Sequence, residues 1–261
     1  MIDLMTRIQS KNLYTRMIHS ANETCYGAIL NHFEIDDVGL PKCAETYNRL
    51  GLLSASDILC FVEDDVEFIS KDWDRITKDI FAEYECDILG VVGSTKYNGG
   101  GYFDAGREYS FGQVACNKSK EEPETWVRVL SEYYRYKKVQ VIDGMLMFMT
   151  REAFLKEPFD EKTFDELFYY DVDRCLKSDK VAVTSDILVK HSKPPEMYGV
   201  YPPAMKTVHQ YEPILLERHG LVKKPPKDQT CCFVSLERFK KEGQTECFNG
   251  FERKYKCVSA A

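Results

Sequence analysis

The chain has 261 residues, 44% of them apolar and 30% charged, which suits one large globular domain or a domain with an extension and excludes disorder, collagen and coiled coil. Acids outnumber bases by 42 to 35, a formal charge of −7, so broad electrostatic capture of nucleic acid is not expected. The longest apolar runs, Ile58–Val62 and Met145–Met149, fall far short of the roughly 20 residues that span a bilayer, and Asp3 and Arg7 break the N-terminal apolar run, so neither a membrane span nor a secretory leader is expected and the expected setting is the cytoplasm.

Apolar runs of strand length alternate with segments of helical period, the pattern of an α/β domain. Met1–Thr6 reads as a first strand, Ser10–Ala21 as a helix and Tyr26–Phe33 as a second strand. Leu40, Cys43, Ala44, Tyr47 and Leu50 fall on one helical face, with Pro41 suited to the first turn and Gly51 to the stop. Asp57–Val62 is a strand of the fully buried type and runs directly into Glu63, Asp64 and Asp65. Trp73, Ile76, Ile80, Phe81 and Tyr84 mark a helix with Asp72 and Asp74 at its start, where negative charge suits the dipole. Asp87–Ser94 is expected to be a strand, and the stretch from Gly99-Gly100-Gly101 to about Glu124 a loop over a site. Trp126, Leu130, Tyr133 and Tyr134 suggest a helix, and Val139–Thr150 a strand carrying Asp143-Gly144 in its middle, where glycine marks a close approach or a bulge. A short helix is expected near Asp171 and a last strand over Lys180–Lys190, ending at His191. Prolines then accumulate, which places a domain edge near 195.

Three successive carboxylates at the end of a buried strand repel one another and lose hydration, so they call for positive charge unless they form a solvated turn. Hard oxygen donors suit Mg2+ or Mn2+, ions that take one or two carboxylates and fill the remaining positions with phosphate oxygens. A phosphorylated ligand is therefore expected. The ten cysteines are scattered without a CxxC pair and are expected to be thiols, with zinc or a disulfide at Cys231, Cys232, Cys247 and Cys257 as the alternative.

The segment Ile58–Phe68 followed by Trp73, with Tyr47-Asn48 before it and Val141–Met147, Phe159-Asp160-Glu161, Tyr169–Asp173 and Val189-Lys190-His191 after it, resembles GT-A fold glycosyltransferases of the family 2-like group. The resemblance covers residues 1–195 and implies a Rossmann-like, mixed, mainly parallel sheet flanked by helices; residues 196–261 lie outside it as a C-terminal extension. It implies transfer of a sugar, with inversion, from a nucleotide diphosphate donor, uridine being the habitual base, to a hydroxyl of a glycan, glycoprotein or glycolipid. Nucleic acid is not an implied partner, and membrane contact would be peripheral at most. The resemblance further implies a metal site at Asp65 and His191, with Glu63 or Asp64 near the ribose, and donor contacts from Arg7, Asp36 or Asp37, Asn48, Asp143 and Gly144.

Inverting transfer needs one carboxylate to take the proton of the attacking hydroxyl. Asp171 and Asp173 are the candidates; on a helix they lie about 200° apart, so only one can face the cleft. The resemblance favours Asp171, although Tyr170 stands where the group usually has Glu, and a helix-start acid can also serve simply as a cap. Two other classes remain open: a phosphohydrolase, whose nucleophilic Asp would here be replaced by Glu63, and a GT-A-like scaffold without turnover.

Overall fold

The computed structural model describes residues 1–26, 31–36, 42–102, 104–117, 124–192, 202–225 and 232–256. The first half runs β1 (Ile2–Ile8), α1 (Lys11–Thr24), β2 (Asn31–Asp36), α2 (Cys43–Leu53), β3 (Ile58–Glu63), β4 (Val66–Phe68), α3 (Trp73–Glu83), β5 (Ile88–Gly90) and β6 (Val92–Ser94). After a single 3-10 turn (Arg107–Tyr109) come β7 (Ser110–Asn117), β8 (Thr125–Val129), β9 (Lys137–Lys138), β10 (Val141–Ile142), β11 (Leu146–Thr150), α4 (Arg151–Lys156), α5 (Tyr170–Leu176), β12 (Val181–Val183) and β13 (Val189–His191). The described part ends with α6 (Pro202–Arg218), β14 (Cys232–Ser235) and α7 (Leu236–Lys256), the last interrupted at Gly243, where φ is 78°.

Two sheets share the core. The first is mixed, in the order β2-β1-β3-β11-β5-β12-β9, with β1 parallel to both β2 and β3. β1 and β3 are buried almost throughout because both faces of the sheet are covered, which is why their sequences are continuous apolar runs. The second sheet runs β10-β6-β7-β13-β4, and β8 and β14 extend it from β7. The chain crosses from one sheet to the other at Asp64-Asp65, at Val91 and at Asp143–Met145. Those crossings bring the chemistry-bearing residues together.

Trp73 shows how the layers lock. Its ring is fully buried between Phe68 at 4.4 Å and Phe148 at 5.9 Å, and its indole N–H donates to the Ala21 carbonyl, so α1, β4, α3 and β11 meet on one side chain. α6 also joins this core through Tyr211 and Leu215. A smaller cluster of Ala115, Val127, Val129, Leu188, Cys232, Val234 and Cys247 lies beneath α7. Among the described residues, no helix is long and apolar enough to cross a membrane.

Several expected elements differ. The second strand lies at Asn31–Asp36, later than expected, with residues 27–30 outside the described residues. Leu40 and Pro41 also lie outside them. Gly51 sits inside α2 rather than at its stop, because a Cβ there would stand 2.5 Å from the Phe154 ring; the glycine serves a close helix approach. The expected loop from 99 to 124 contains the strand Ser110–Asn117, and the helix expected from Trp126 is instead β8. There Val127 and Val129 are buried while Trp126 and Arg128 are only partly so, a period of two that the wider spacing of apolar residues concealed. The strand expected over Val139–Thr150 is divided into β10 and β11, and that over Lys180–Lys190 into β12 and β13, because in each case the two halves belong to different sheets.

Candidate active site

β3 delivers Glu63 at the C-terminal end of a central strand of the first sheet, and the Asp64-Asp65 turn leads into β4 of the second. The three acids then do different work. The Asp64 carboxylate accepts from the backbone N–H groups of Gln9 (2.7 Å) and Ser10 (2.6 Å), fixing the chain where it leaves β1. Glu63 and Asp65 instead face His191, which β13 places opposite β4: its Nε2 lies 3.2 Å from Glu63 and 3.4 Å from Asp65. Glu63 thus stands with Asp65 and His191; the resemblance offered Glu63 or Asp64 for the ribose.

One ligand atom from each of Glu63, Asp65 and His191 lies within 4.8 Å of the others. Burial alone would lower the imidazole pKa, but the Asp65 and Glu63 carboxylates outweigh it and carry it up to about 10. The pocket therefore favours positive charge. Two carboxylates and one imidazole are a donor set that fits a hard divalent cation, which would have to displace the imidazole proton.

A short turn connects this cluster to a second carboxylate. The Glu63 N–H donates to the Met145 carbonyl (3.0 Å), the Met145 N–H to Asp143 Oδ1 (3.0 Å), and the Gly144 N–H to Asp171 Oδ2 (2.8 Å). A Cβ on Gly144 would stand 2.6 Å from that same Asp171 oxygen, so the close approach that requires glycine is to Asp171. Burial, followed by the neighbouring Asp143 charge, pushes the Asp171 carboxyl up to about 7. Asp143 is also raised, chiefly by burial, with His191 acting in the opposite direction.

The other expected residues lie as follows. Arg7 is buried at the end of β1, in register with Glu63; burial opposes its charge, but Cys43, Tyr47, Tyr170 and Glu63 hold its pKa above the ordinary value. Asp36 ends β2 and pairs with Lys11 at 3.4 Å, while Asp37 lies outside the described residues. Asn48 holds the Phe159–Glu161 turn: its amide donates to the Phe159 carbonyl and Glu161, and its oxygen accepts from the Phe159 N–H. Asp173 points away from Asp171 into an ion-pair cluster with Lys177 (2.9 Å), His219 (2.9 Å) and Arg218 (3.1 Å), which ties α5 to the end of α6. The described cysteines are free thiols; Cys231 and Cys257 lie outside the described residues.

The model of the glycosyltransferase-like family matches residues 4–217. The chain belongs to that family. The chain has the GT-A fold, and similar solved structures include GalNAc-T7 with UDP, GalNAc and Mn2+ (TM-score 0.50, 9% identity, covering 85% of this chain and 55% of that one). S. aureus TarS 1–349 in complex with UDP is a further likeness (TM-score 0.45, 12% identity, 79% and 64% covered). The chain therefore spans less than two thirds of either structure. Comparison with curated protein sequences finds no match.

Beyond residue 195, α6 and the segment that follows it bond to the turn at residues 98–100. Glu212 of α6 accepts from the Gly100 N–H (2.8 Å) and pairs with Lys223, and the Lys224 N–H donates to the Asn98 carbonyl (3.2 Å). Gly99 and Gly100 both have positive φ, 89° and 73°, and a Cβ on Gly100 would collide with the Asp104 carboxylate. Tyr169, two residues before Asp171, is itself left-handed at φ 72°. Burial first, and then the acids Asp171, Glu212 and Asp104, raise the hydroxyl pKa of both Tyr97 and Tyr169. Tyr97 and Glu212 were not identified from the sequence, whereas the glycine triplet and Tyr169 lay in segments that it singled out.

Proposed function

We propose that the chain is a metal-dependent, inverting glycosyltransferase that moves a hexose-type sugar from UDP-sugar to a hydroxyl of a glycan, glycoprotein or glycolipid. The observation that carries this reading is the convergence of Glu63, Asp65 and His191, linked through the Asp143–Met145 turn to Asp171. Glu63, Asp65 and His191 would hold Mn2+ or Mg2+, which when bound would neutralise charge developing on the diphosphate. UDP and Mn2+ accompany GalNAc-T7 in its solved structure, which supports this choice of donor and ion.

Asp171 is the base. A carboxyl raised to about 7 is ionised in part at neutral pH and still basic enough to take a proton. As the acceptor oxygen bonds to the anomeric carbon, its proton passes to Asp171, and the anomeric C–O bond to the diphosphate breaks with its electron pair on the leaving group. Asp143 orients donor hydroxyls beside Gly144. Arg7 and Asp36 line the nucleotide end of β1 and β2, while Asp64 and Asn48 hold the surrounding turns. Residues 1–195 supply the donor half of the site, and the extension from 196 shapes the acceptor side through Glu212.

Thermal unfolding with Mn2+, UDP and both together tests the reading. Saturation at about 100 times Kd contributes about 2.7 kcal/mol, a rise of roughly 5–10 °C, expected in full only when metal and nucleotide are both present. Asp65→Ala should remove that synergy. A wild-type chain that shows none, and hydrolyses no nucleotide sugar with Mn2+ present, overturns the proposal.

A further inference from the structure

A diphosphate carries more negative charge than one divalent ion cancels, so a cation belonging to the protein is expected on its far side. We propose that Arg128 binds the donor's diphosphate opposite Glu63, Asp65 and His191, an inference that rests on the nucleotide-sugar reading above.

The sheet register places it there. His191 pairs with Cys116 across β13 and β7, and two residues earlier on β7 Val114 pairs with Arg128 of β8. Paired residues, and residues two apart on one strand, share a sheet face, so His191, Cys116, Val114 and Arg128 lie on the same face. The opposite face carries Ala115, Val127 and Val129 into the small core beneath α7. The shared face turns toward the main core, to which Val66, Val114 and Val189 contribute. Two strand spacings and one two-residue step separate the His191 and Arg128 backbones by about 12 Å.

Two further observations agree. The Asp143 carboxyl senses both His191 and Arg128 as favourable charges, so the guanidinium field reaches the donor side of the cleft. Lys190, the neighbouring cation, sits at the alternate position of β13, where its partner across the strand is Glu67 at 4.0 Å. The planar guanidinium fork of arginine matches two phosphate oxygens as a lysine point charge does not.

Calorimetry on the full chain tests the assignment with Mn2+ alone, and with UDP and pyrophosphate in the presence of Mn2+. Arg128→Gln should weaken UDP and pyrophosphate by about tenfold to a hundredfold while leaving Mn2+ affinity and thermal stability near wild type, and Arg128→Lys should recover part of the loss. Unchanged diphosphate affinity overturns the proposal, as does a parallel loss of Mn2+ binding and stability. Wild-type binding of pyrophosphate without UDP would count against the nucleotide reading alone, with Arg128 then judged on pyrophosphate; binding of neither would remove both.

Discussion

Replacing Asp171, the proposed base, by Asn separates the electrostatics of its carboxyl from its geometry. The folded carboxyl titrates at about 7 against an ordinary value of 3.8, so between these values the folded chain holds a proton that the unfolded chain has released. Stability therefore falls as pH rises from about 4 to about 7, and the cost is constant above that. The difference of about 3 pH units corresponds to about 4 kcal/mol for a fully shielded group, and partial exposure of Asp171 reduces this to about 2 kcal/mol. The amide of the Asp171→Asn variant would keep an oxygen for the Gly144 N–H but carry no charge. Its stability advantage over wild type should therefore grow from near zero at about pH 4 to about 2 kcal/mol above about pH 7, or roughly 4–8 °C in Tm. Melts of both proteins across that range give the answer directly. In parallel, turnover should fall by about a hundredfold or more while Mn2+-dependent UDP binding persists, and wild-type kcat should rise with pH through about 7 as the base ionises. A Tm difference that does not change with pH would refute the raised carboxyl, and wild-type turnover by Asp171→Asn would remove this residue from the chemistry.

Gly51→Ala should lower Tm, because the new methyl meets the Phe154 ring at 2.5 Å; overpacking of this kind costs about 1–3 kcal/mol, measurable by urea unfolding. Asp173→Asn should destabilise by about 2–4 kcal/mol, since it leaves Lys177, Arg218 and His219 facing a neutral amide, yet leave the pH profile of turnover in place. Glu212→Ala should release the Gly100 N–H and Lys223 and raise hydrogen exchange of the 98–101 backbone, with Mn2+ and UDP affinity unchanged.

Local signals carried much of the fold. β1 and β3 were legible because a strand buried on both faces must be apolar at nearly every position, and α3 because its apolar stripe recurs at helical spacing. β8 was not legible, since only the pairing with β7 decides that Trp126 and Arg128 share a face while Val127 and Val129 fill a core. Nor could Gly51 be distinguished from a helix stop, because the Phe154 ring that requires it comes from a residue distant in sequence.

The acidic triplet after a buried strand, followed by Asp171 and His191 in a family order, was enough to indicate the class of chemistry, because residue type and position along a strand or helix are properties of the chain itself. Assigning tasks to those residues required the fold. Asp64 turned to the backbone of Gln9 and Ser10, Glu63 joined Asp65 at His191, and Asp173 became an anchor for Arg218, each through partners from other elements. A carboxylate's role depends on which charges and N–H donors lie within a few ångströms of it, and only the crossing of the two sheets sets those distances.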